Sequence, residues 1–253
     1  MPRGARERSS TGIYHIMLRG IDKRDVFLDD EDRIKFIDNI IKAKEVGNFK
    51  IYGYCLMDNH IHLLVKEGEE VGESIKRITV GYVGWHNRRH ERTGHLFQNR
   101  FLSEVVETES YLLTVLRYIH LNPVKAGMVK KAEDYYWSSY KDYYLDYQGQ
   151  ATIISSELIK SYFKTFENFG NYMNAKNDDE CLEYKAVKKY NESTLKEIIH
   201  RKYNIDKLIK LPTDERENMI KEIYNNQDIS IRQLSRILGI GKTAIEKAVK
   251  KDR

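Results

Sequence analysis

The run FKIYGYCLMDNHIHLLVK, residues 49–66, decides the fold of the first half of this chain. It contains two short apolar segments, 49–57 and 60–66, with Asp58 and Asn59 between them. Asp and Asn favour turns and each segment has the length of a strand, so the run predicts a β-hairpin. The second strand of that hairpin would carry two histidines.

Strands and helices alternate on both sides of this hairpin. The sequence predicts a strand over 13–18, a helix over 30–46, a helix over 71–89, a strand over 101–106 and a helix over 109–122. With the hairpin, the order is β-α-β-β-α-β followed by a helix. That order is typical of the ferredoxin-like arrangement, an α+β fold in which helices cover one face of an antiparallel sheet. Pro123 should bound the last helix, because the residue before a proline disfavours helical geometry.

The last stretch of the chain has the pattern of a helix-turn-helix. SIRQ at 230–233 is a capping box that opens one helix, LGIG at 238–241 is a tight turn, and 242–251 is a basic last helix. Residues 221–253 contain eight Lys or Arg against four acids, which agrees with a DNA-facing surface. Three-helix bundles of this spacing also serve in protein contacts, so both interpretations stay open.

The length of 253 residues leaves room for one catalytic domain and a smaller module. We expect an α+β catalytic domain over 1–146, a helical connecting segment over 147–190 and an all-α helix-turn-helix module over 191–253. The composition changes near the first boundary, after which aromatic residues predict a helix with an aromatic face.

Charge is distributed unevenly along the chain. The net charge is +5, a mild excess that permits nucleic-acid binding without requiring it. Between residues 76 and 100, however, six Lys or Arg stand against one acid, with aromatic residues among them. Cations that follow phosphates and rings that stack on bases are typical of a groove for single-stranded nucleic acid. A solvated helix face is the alternative interpretation.

The cysteine content and the N-terminus bear on the compartment. Two cysteines, Cys55 and Cys181, are too few for a disulfide framework or a cysteine zinc site. The first residues lack the apolar stretch of a signal peptide, and no run approaches a membrane span. We therefore expect a soluble, cytoplasmic protein.

Two residue pairs point to chemistry. His60 and His62 would project from one face of a strand, since residues i and i+2 share a face, and two imidazoles there would be costly to desolvate without a partner such as a metal ion. Tyr118 and Asn122 share one face of a helix, where they present a hydroxyl and an amide oxygen. Together the pairs predict a metal site beside a tyrosine nucleophile. The spacing singles out neither His86 nor His120 as a general base.

At these residues the chain resembles the HUH single-strand transposases that use one tyrosine, and among them the REP-associated, insertion-sequence 200-like tyrosine transposases. The carriers are MDNHIHLLV at 57–65 and RYIHLNPVKAG at 117–127. Supporting pieces are RG at 19–20, FLDD at 27–30, GHLFQNRF at 94–101 and WSSY at 137–140. The likeness spans roughly residues 8 to 145, and the set is specific in its order and spacing.

The resemblance implies roles for individual residues. His60 and His62 correspond to the paired metal-binding histidines, and Tyr118 to the nucleophile. Asn122 lies where relatives place a polar third ligand, often glutamine, and its side chain is shorter by one methylene. Two imidazoles and an amide oxygen leave open positions for phosphate oxygens, which suits Mg²⁺ or Mn²⁺. The C-terminal module resembles helix-turn-helix extensions similar to the DNA-binding domain of the replication initiator DnaA.

The expected partner is single-stranded DNA with hairpin or palindromic repeats, together with duplex DNA at the C-terminal module. The protein could act as a monomer or a homodimer. The DNA-contacting residues that we expect are Arg19, Lys23, Arg24, Arg77, Trp85, Arg88, Arg89, Gln98 and Arg100 in the catalytic domain, and Lys242, Thr243 and Lys247 in the module.

Three functions are compatible with these patterns. The first is a metal-dependent transposase or nickase that cleaves and rejoins single-stranded DNA through a 5′-phosphotyrosine intermediate. The second is a catalytically silent DNA-binding regulator of repeat sequences, which would bind duplex tightly without cleaving it. The third is a metal-dependent phosphodiesterase that uses water, whose cleavage would survive Tyr118→Phe.

Overall fold

The computed structural model describes residues 6–175, 177, 179, 181–182, 192–203, 205–208, 211–226 and 231–250. The chain divides into two compact units, Met1–Glu183 and Tyr184–Arg253. Within the described residues, no helix is both long enough and apolar enough to cross a membrane.

In its described part, the first unit is built on a four-stranded antiparallel sheet. The strands are β1 (Ile13–Arg19), β2 (Lys50–Met57), β3 (His60–Lys66) and β4 (Leu102–Val105), in the order β2-β3-β1-β4. β2 and β3 form the hairpin that the sequence predicts, and β1 pairs with both β3 and β4. β1 therefore lies between β4 and the strand that carries the paired histidines.

Helices pack against this sheet. They are α1 (Asp30–Gly47), α2 (Val71–Arg89), α3 (Glu109–Lys125), α4 (Tyr140–Tyr147), α5 (Glu157–Tyr162) and α6 (Phe166–Met173), with short 3-10 helices at Ile21–Lys23 and Ala132–Asp134. α1 and α2 pack against each other, whereas α3 packs against β2 and β3. The predicted α+β fold with an antiparallel sheet is confirmed, and β3 and α2 have the predicted bounds.

The prediction that Pro123 ends α3 was wrong, because the helix continues through it to Lys125. A proline lacks the N–H that would bond to the carbonyl four residues earlier. Here the following turn is held by two other bonds, from the Ala126 nitrogen to the Asn122 oxygen and from the Met128 nitrogen to the Pro123 oxygen, both at 2.9 Å. Because Pro123 is also buried, tertiary packing and these bonds override the local preference.

The stretch that the sequence placed in a connecting segment, 147–190, contains α5 and α6. Ile159, Phe169 and Met173 from these helices are fully buried in the same hydrophobic core as the sheet. The first unit therefore runs to Glu183, beyond the expected domain end at 146. The physical reason is aromatic packing, since Phe169 contacts the rings of residues on α4.

The second unit consists of helices in its described part. They are α7 (Glu192–Lys202), α8 (Ile205–Leu208), α9 (Thr213–Asn226), α10 (Ile231–Leu238) and α11 (Lys242–Lys250). Gly239, with a φ of 65°, makes the predicted turn between α10 and α11. Leu234 and Ile245 are fully buried on the two sides of this turn. The predicted capping residue Ser230 lies outside the described residues.

Candidate functional site

The two histidines of β3 lie on one face of the sheet, as the spacing predicts. The ring centroids of His60 and His62 are 5.1 Å apart. His62 is fully buried and His60 is partly exposed. The Nδ1 atom of His60 lies 2.7 Å from the side-chain oxygen of Asn59 in the hairpin turn. The pair therefore extends from the core to the partly exposed end of β3.

A third histidine, His15 on β1, belongs to the same cluster. The sequence patterns did not identify it as a site residue. Its Nε2 atom lies 2.9 Å from Nδ1 of His62, and its ring is fully buried. In the strand register Met17 lies opposite His62, so His15 is its diagonal neighbour on the same face. A histidine in an otherwise apolar strand was the available signal, but only the pairing of β1 with β3 reveals its partner.

Tyr118 is brought to this cluster by α3. The helix begins after Thr108, whose side chain accepts a hydrogen bond from the Tyr111 backbone nitrogen. The Tyr118 ring is buried, with its centroid 5.8 Å from that of His62 and 6.0 Å from that of His15. The ammonium nitrogen of Lys125, two turns later, lies 4.5 Å from the centroid of the same ring. The phenol thus lies beside the histidines, and a positive charge lies over its ring.

Asn122 follows Tyr118 by one helical turn. Its amide nitrogen donates to the Tyr118 carbonyl oxygen at 3.0 Å, so the amide oxygen is the atom that could ligate a metal ion. Asn122 is buried, and no described contact joins it to the histidines. The structure therefore brings together Tyr118, His60 and His62, and it positions Asn122 on the neighbouring turn of the same helix.

The potential ligand atoms in this cluster suit a divalent metal ion. The Nε2 atom of His62 is buried and has no hydrogen-bond partner within the described residues. Burial lowers the pKa of His62 well below its ordinary value, and the neighbouring His15 and His60 lower it further. The imidazole is therefore neutral, which is the form that ligates metals. A buried lone pair without a partner is costly unless a ligand meets it.

A second group of potential ligands lies at the contact between α1 and α2. Ligand atoms of Asp32, His86 and His90 lie within 4.8 Å of one another. This group could hold a metal ion, but the Arg89 guanidinium already lies 2.9 Å from the Asp32 carboxylate, which also accepts from His90 at 2.8 Å. Arg89 thus supplies the positive charge that the buried carboxylate requires. We interpret this group as a set of ion pairs and hydrogen bonds that holds α1 against α2.

Comparison with known proteins identifies the domain that carries these residues. Residues 8–122 match the family described as Transposase IS200 like. Residues 8–122 belong to that family. The matched span contains His15, His60, His62, Tyr118 and Asn122.

Two known proteins are similar to parts of this chain. A putative REP-associated tyrosine transposase from Haemophilus influenzae is 27% identical over 106 residues, which cover 36% of this chain and 59% of the relative. The chain thus matches less than two thirds of that protein's length. A solved structure of a REP-associated tyrosine transposase bound to a REP hairpin superimposes with a TM-score of 0.51 at 20% identity. It covers 60% of this chain and 90% of the other, and it supports the fold.

Three loops of the IS200-like transposase domain meet at the His60 end of the sheet. The Gly20 nitrogen donates to the Asn59 oxygen at 2.9 Å, and the Gln98 nitrogen donates to the Arg19 oxygen at 2.8 Å. Gly20 permits this packing, because a Cβ there would lie 2.0 Å from the Arg24 carbonyl oxygen. The exposed predicted DNA contacts Lys23, Arg24 and Gln98 are therefore close to the histidine cluster.

The remaining predicted DNA contacts of the transposase domain differ in their surroundings. Arg77 bonds the Glu69 carboxylate with two contacts of 3.0 Å, and Arg89 bonds Asp29 as well as Asp32. These two cations are already paired with acids. Arg88 and Arg100 are exposed, and Trp85 is half-buried.

In the second unit, the predicted DNA contacts occupy the solvent side of α11. Lys242, Thr243 and Lys247 are exposed, whereas Ile245 and Ala248 are buried in the unit's core. The helix is thus amphipathic, and its exposed side carries the positive charge.

His120, two residues after Tyr118, packs in the hydrophobic core. Its Nε2 atom lies 2.8 Å from the Ser139 hydroxyl, and its ring packs against Tyr140 and Phe169. Burial lowers the pKa of His120 to about 3. The side chain therefore belongs to the core between α3 and α4 and is neutral at physiological pH.

The free energy of unfolding of the first unit should fall on acidification below about pH 6.5. An unfolded histidine has a pKa of about 6.5, whereas that of folded His120 is about 3. Between these values the unfolded chain binds a proton here and the folded chain does not. His120 should therefore cost about 1.4 kcal/mol per pH unit over this window, and nothing above it.

Urea unfolding followed by tryptophan fluorescence measures this loss, because both tryptophans, Trp85 and Trp137, belong to the first unit. His120→Gln retains a group that can bond Ser139 but does not titrate. Its stability should therefore fall less steeply from about pH 6.5 to 4. Parallel pH dependences for the two proteins would contradict the assignment.

Proposed function

We propose that this chain is a metal-dependent transposase that cleaves single-stranded DNA at hairpin-forming repeats and rejoins it through a 5′-phosphotyrosine intermediate. The observation that carries the proposal is the contact of the Tyr118 ring with the His62 ring, inside an IS200-like transposase domain. A tyrosine beside a pair of metal-ligating side chains is the minimal machinery for such a step.

The proposed step exchanges one phosphodiester for another. The Tyr118 oxygen attacks the phosphorus, the bond to the 3′ oxygen of the preceding nucleotide breaks, and that oxygen takes up the proton which the phenol loses. The products are a 5′-phosphotyrosyl strand and a free 3′-hydroxyl. Because the number of phosphoester bonds is unchanged, a 3′-hydroxyl of another strand can reverse the step without ATP.

His60, His62 and Asn122 would hold the divalent ion, Mg²⁺ or Mn²⁺. When bound, such an ion supplies charge that neutralises and polarises the scissile phosphate. Lys125 supports the nucleophile, since its ammonium nitrogen lies 4.5 Å from the Tyr118 ring centroid and favours the negative charge that develops on the phenol oxygen. An ordinary tyrosine has a pKa of about 10, so activation of this kind is needed.

Hairpin DNA is the substrate that we propose. The solved relative is described as bound to a REP hairpin. In this chain, the exposed Lys23 and Arg24 lie on a loop bonded to the Asn59 turn beside His60, and the exposed Gln98 lies on a loop bonded to Arg19. Cations and amides at this end of the sheet could hold a phosphate backbone next to Tyr118.

The test uses labelled single-stranded oligonucleotides made from hairpin repeats that flank the gene. The protein is incubated with them and with Mg²⁺, Mn²⁺ or a chelator, and covalent product is detected as a denaturant-resistant shift. A shift that requires the metal supports the proposal. Specific retention of hairpin or duplex without a shift would instead favour a silent DNA-binding regulator.

We propose that α11 contacts duplex DNA. Lys247→Glu should weaken duplex retention and lower the salt dependence of binding by a slope of about 0.9 for each phosphate that the helix no longer neutralises. Covalent adduct formation on hairpin DNA should be unchanged, because that chemistry belongs to the first unit. The measurement is a fluorescence-anisotropy titration at several salt concentrations.

Lys196→Glu is the matched control, because it makes the same charge change at an exposed position on α7. It should affect duplex binding much less than Lys247→Glu. Equal losses in both variants would mean that net charge alone matters, and no loss in Lys247→Glu would remove α11 from the interface.

A further inference from the structure

We propose that His15 is a positioning residue of the metal site. It accepts a hydrogen bond from Nδ1 of His62, and so keeps Nε2 of that ring unprotonated and available to the ion. This inference rests on the proposed role of His62 as a metal ligand, but the proton position in the ring can be tested without metal.

The first support is the geometry of the two rings. Nε2 of His15 and Nδ1 of His62 are 2.9 Å apart, which is the usual length of a nitrogen hydrogen bond. Their ring centroids lie 5.2 Å apart with an interplanar angle of 30°. Both side chains are fully buried, so water does not compete for either nitrogen. The bond therefore fixes the orientation of the His62 ring.

The second support is a carboxylate on the far side of His15. An oxygen of Glu104 on β4 lies 3.7 Å from Nδ1 of His15, too long for a hydrogen bond but close for a charge. A negative charge there favours the proton of His15 on Nδ1, since a lone pair facing the carboxylate would be repelled. Nε2 of His15 is then the acceptor, and Nδ1 of His62 must be the donor.

The third support is the remaining nitrogen of His62. With its proton on Nδ1, Nε2 carries a lone pair, and this atom is buried without a hydrogen-bond partner in the described residues. The opposite assignment would place an N–H at the same buried position and leave no lone pair for an ion. Metal-ligating histidines usually donate their other N–H to an acceptor that fixes the tautomer. Here His15 is that acceptor, and Glu104 lies near the other nitrogen of the His15 ring.

The first test is nitrogen-15 NMR of the metal-free, full-length protein, with the His62 signals identified by their loss in His62→Gln. Wild type should have His62 protonated at Nδ1. His15→Phe keeps a ring in the cavity but removes the acceptor, so the proton should move to Nε2 or exchange between the two nitrogens. His15→Gln retains an acceptor oxygen and should restore protonation at Nδ1. A wild-type His62 protonated at Nε2 overturns the proposal, and that measurement needs no substitution.

The second test measures Mn²⁺ affinity from the electron paramagnetic resonance signal of the free ion. His15→Phe should weaken binding by about 10- to 100-fold, the usual effect of removing such a partner, and His15→Gln should restore most of it. Equal affinity in wild type and a folded His15→Phe overturns the proposal. If His62→Ala binds Mn²⁺ as tightly as wild type, the proposed metal site fails, whereas the metal-free NMR result still decides the role of His15 in setting the tautomer.

Discussion

Tyr118→Phe should form no covalent adduct with hairpin DNA while it still binds that DNA. The substitution removes only the oxygen that we propose attacks the phosphorus, so we expect the yield of adduct to fall by at least about 1,000-fold. The phenylalanine ring fills the same space beside His62 and His15, so the fold and the DNA surface should persist. A denaturing gel measures the adduct, and a native gel with the same oligonucleotide measures binding.

Tyr140→Phe is the matched control, because it makes the same change at a buried tyrosine on α4 that packs against His120. It should form adduct at the wild-type level. A surviving adduct in Tyr118→Phe would mean that another residue is the nucleophile. Cleavage without adduct in that variant would instead favour the phosphodiesterase that uses water.

His62→Ala should have the second largest effect. It removes the buried Nε2 atom that has no described partner, and with it the strongest candidate ligand of the cluster. A metal ion at a transferring phosphate contributes several kcal/mol to the transition state, so adduct formation should fall by about 1,000-fold. Chelator-treated wild type should show the same loss, and the initial rate of adduct formation measures both.

Two other histidines serve as controls for this experiment. His120→Gln changes a buried histidine on α3 that bonds Ser139, and it should keep the wild-type rate. His90→Gln changes the second group of potential ligands, at the contact of α1 with α2, and it should also keep the rate. If His90→Gln abolished adduct formation and His62→Ala did not, the functional metal would belong to the Asp32 group.

Local patterns predicted the parts of this fold that depend on neighbouring residues. The Asp58-Asn59 turn between two apolar segments was sufficient for the hairpin, and alternation along β3 was sufficient for the shared face of His60 and His62. These features are set by backbone geometry within a few residues. The hairpin and the shared face of the two histidines could therefore be predicted without knowledge of the tertiary structure.

The missed features depend on residues that are distant in sequence. His15 joins the site only because β1 pairs with β3, 47 residues away. Arg89 looks like a free cation in the sequence, but it is bonded to acids at the start of α1. Pro123 stays inside α3 because packing outweighs its local preference. Each of these features could be predicted only from the tertiary structure, because the periodicity of the sequence does not show which distant residues come into contact.

The burial of Tyr118 has a kinetic consequence. Only 2% of this residue is exposed, so a strand cannot reach its oxygen until the surroundings of the ring rearrange. In the proposed mechanism such opening would precede the chemical step, and local openings are commonly slow compared with side-chain motion. Where opening is the slow step, the observed rate of cutting will be the same with Mg²⁺ and Mn²⁺. The buried phenol of Tyr118 should also react slowly with tyrosine-modifying reagents.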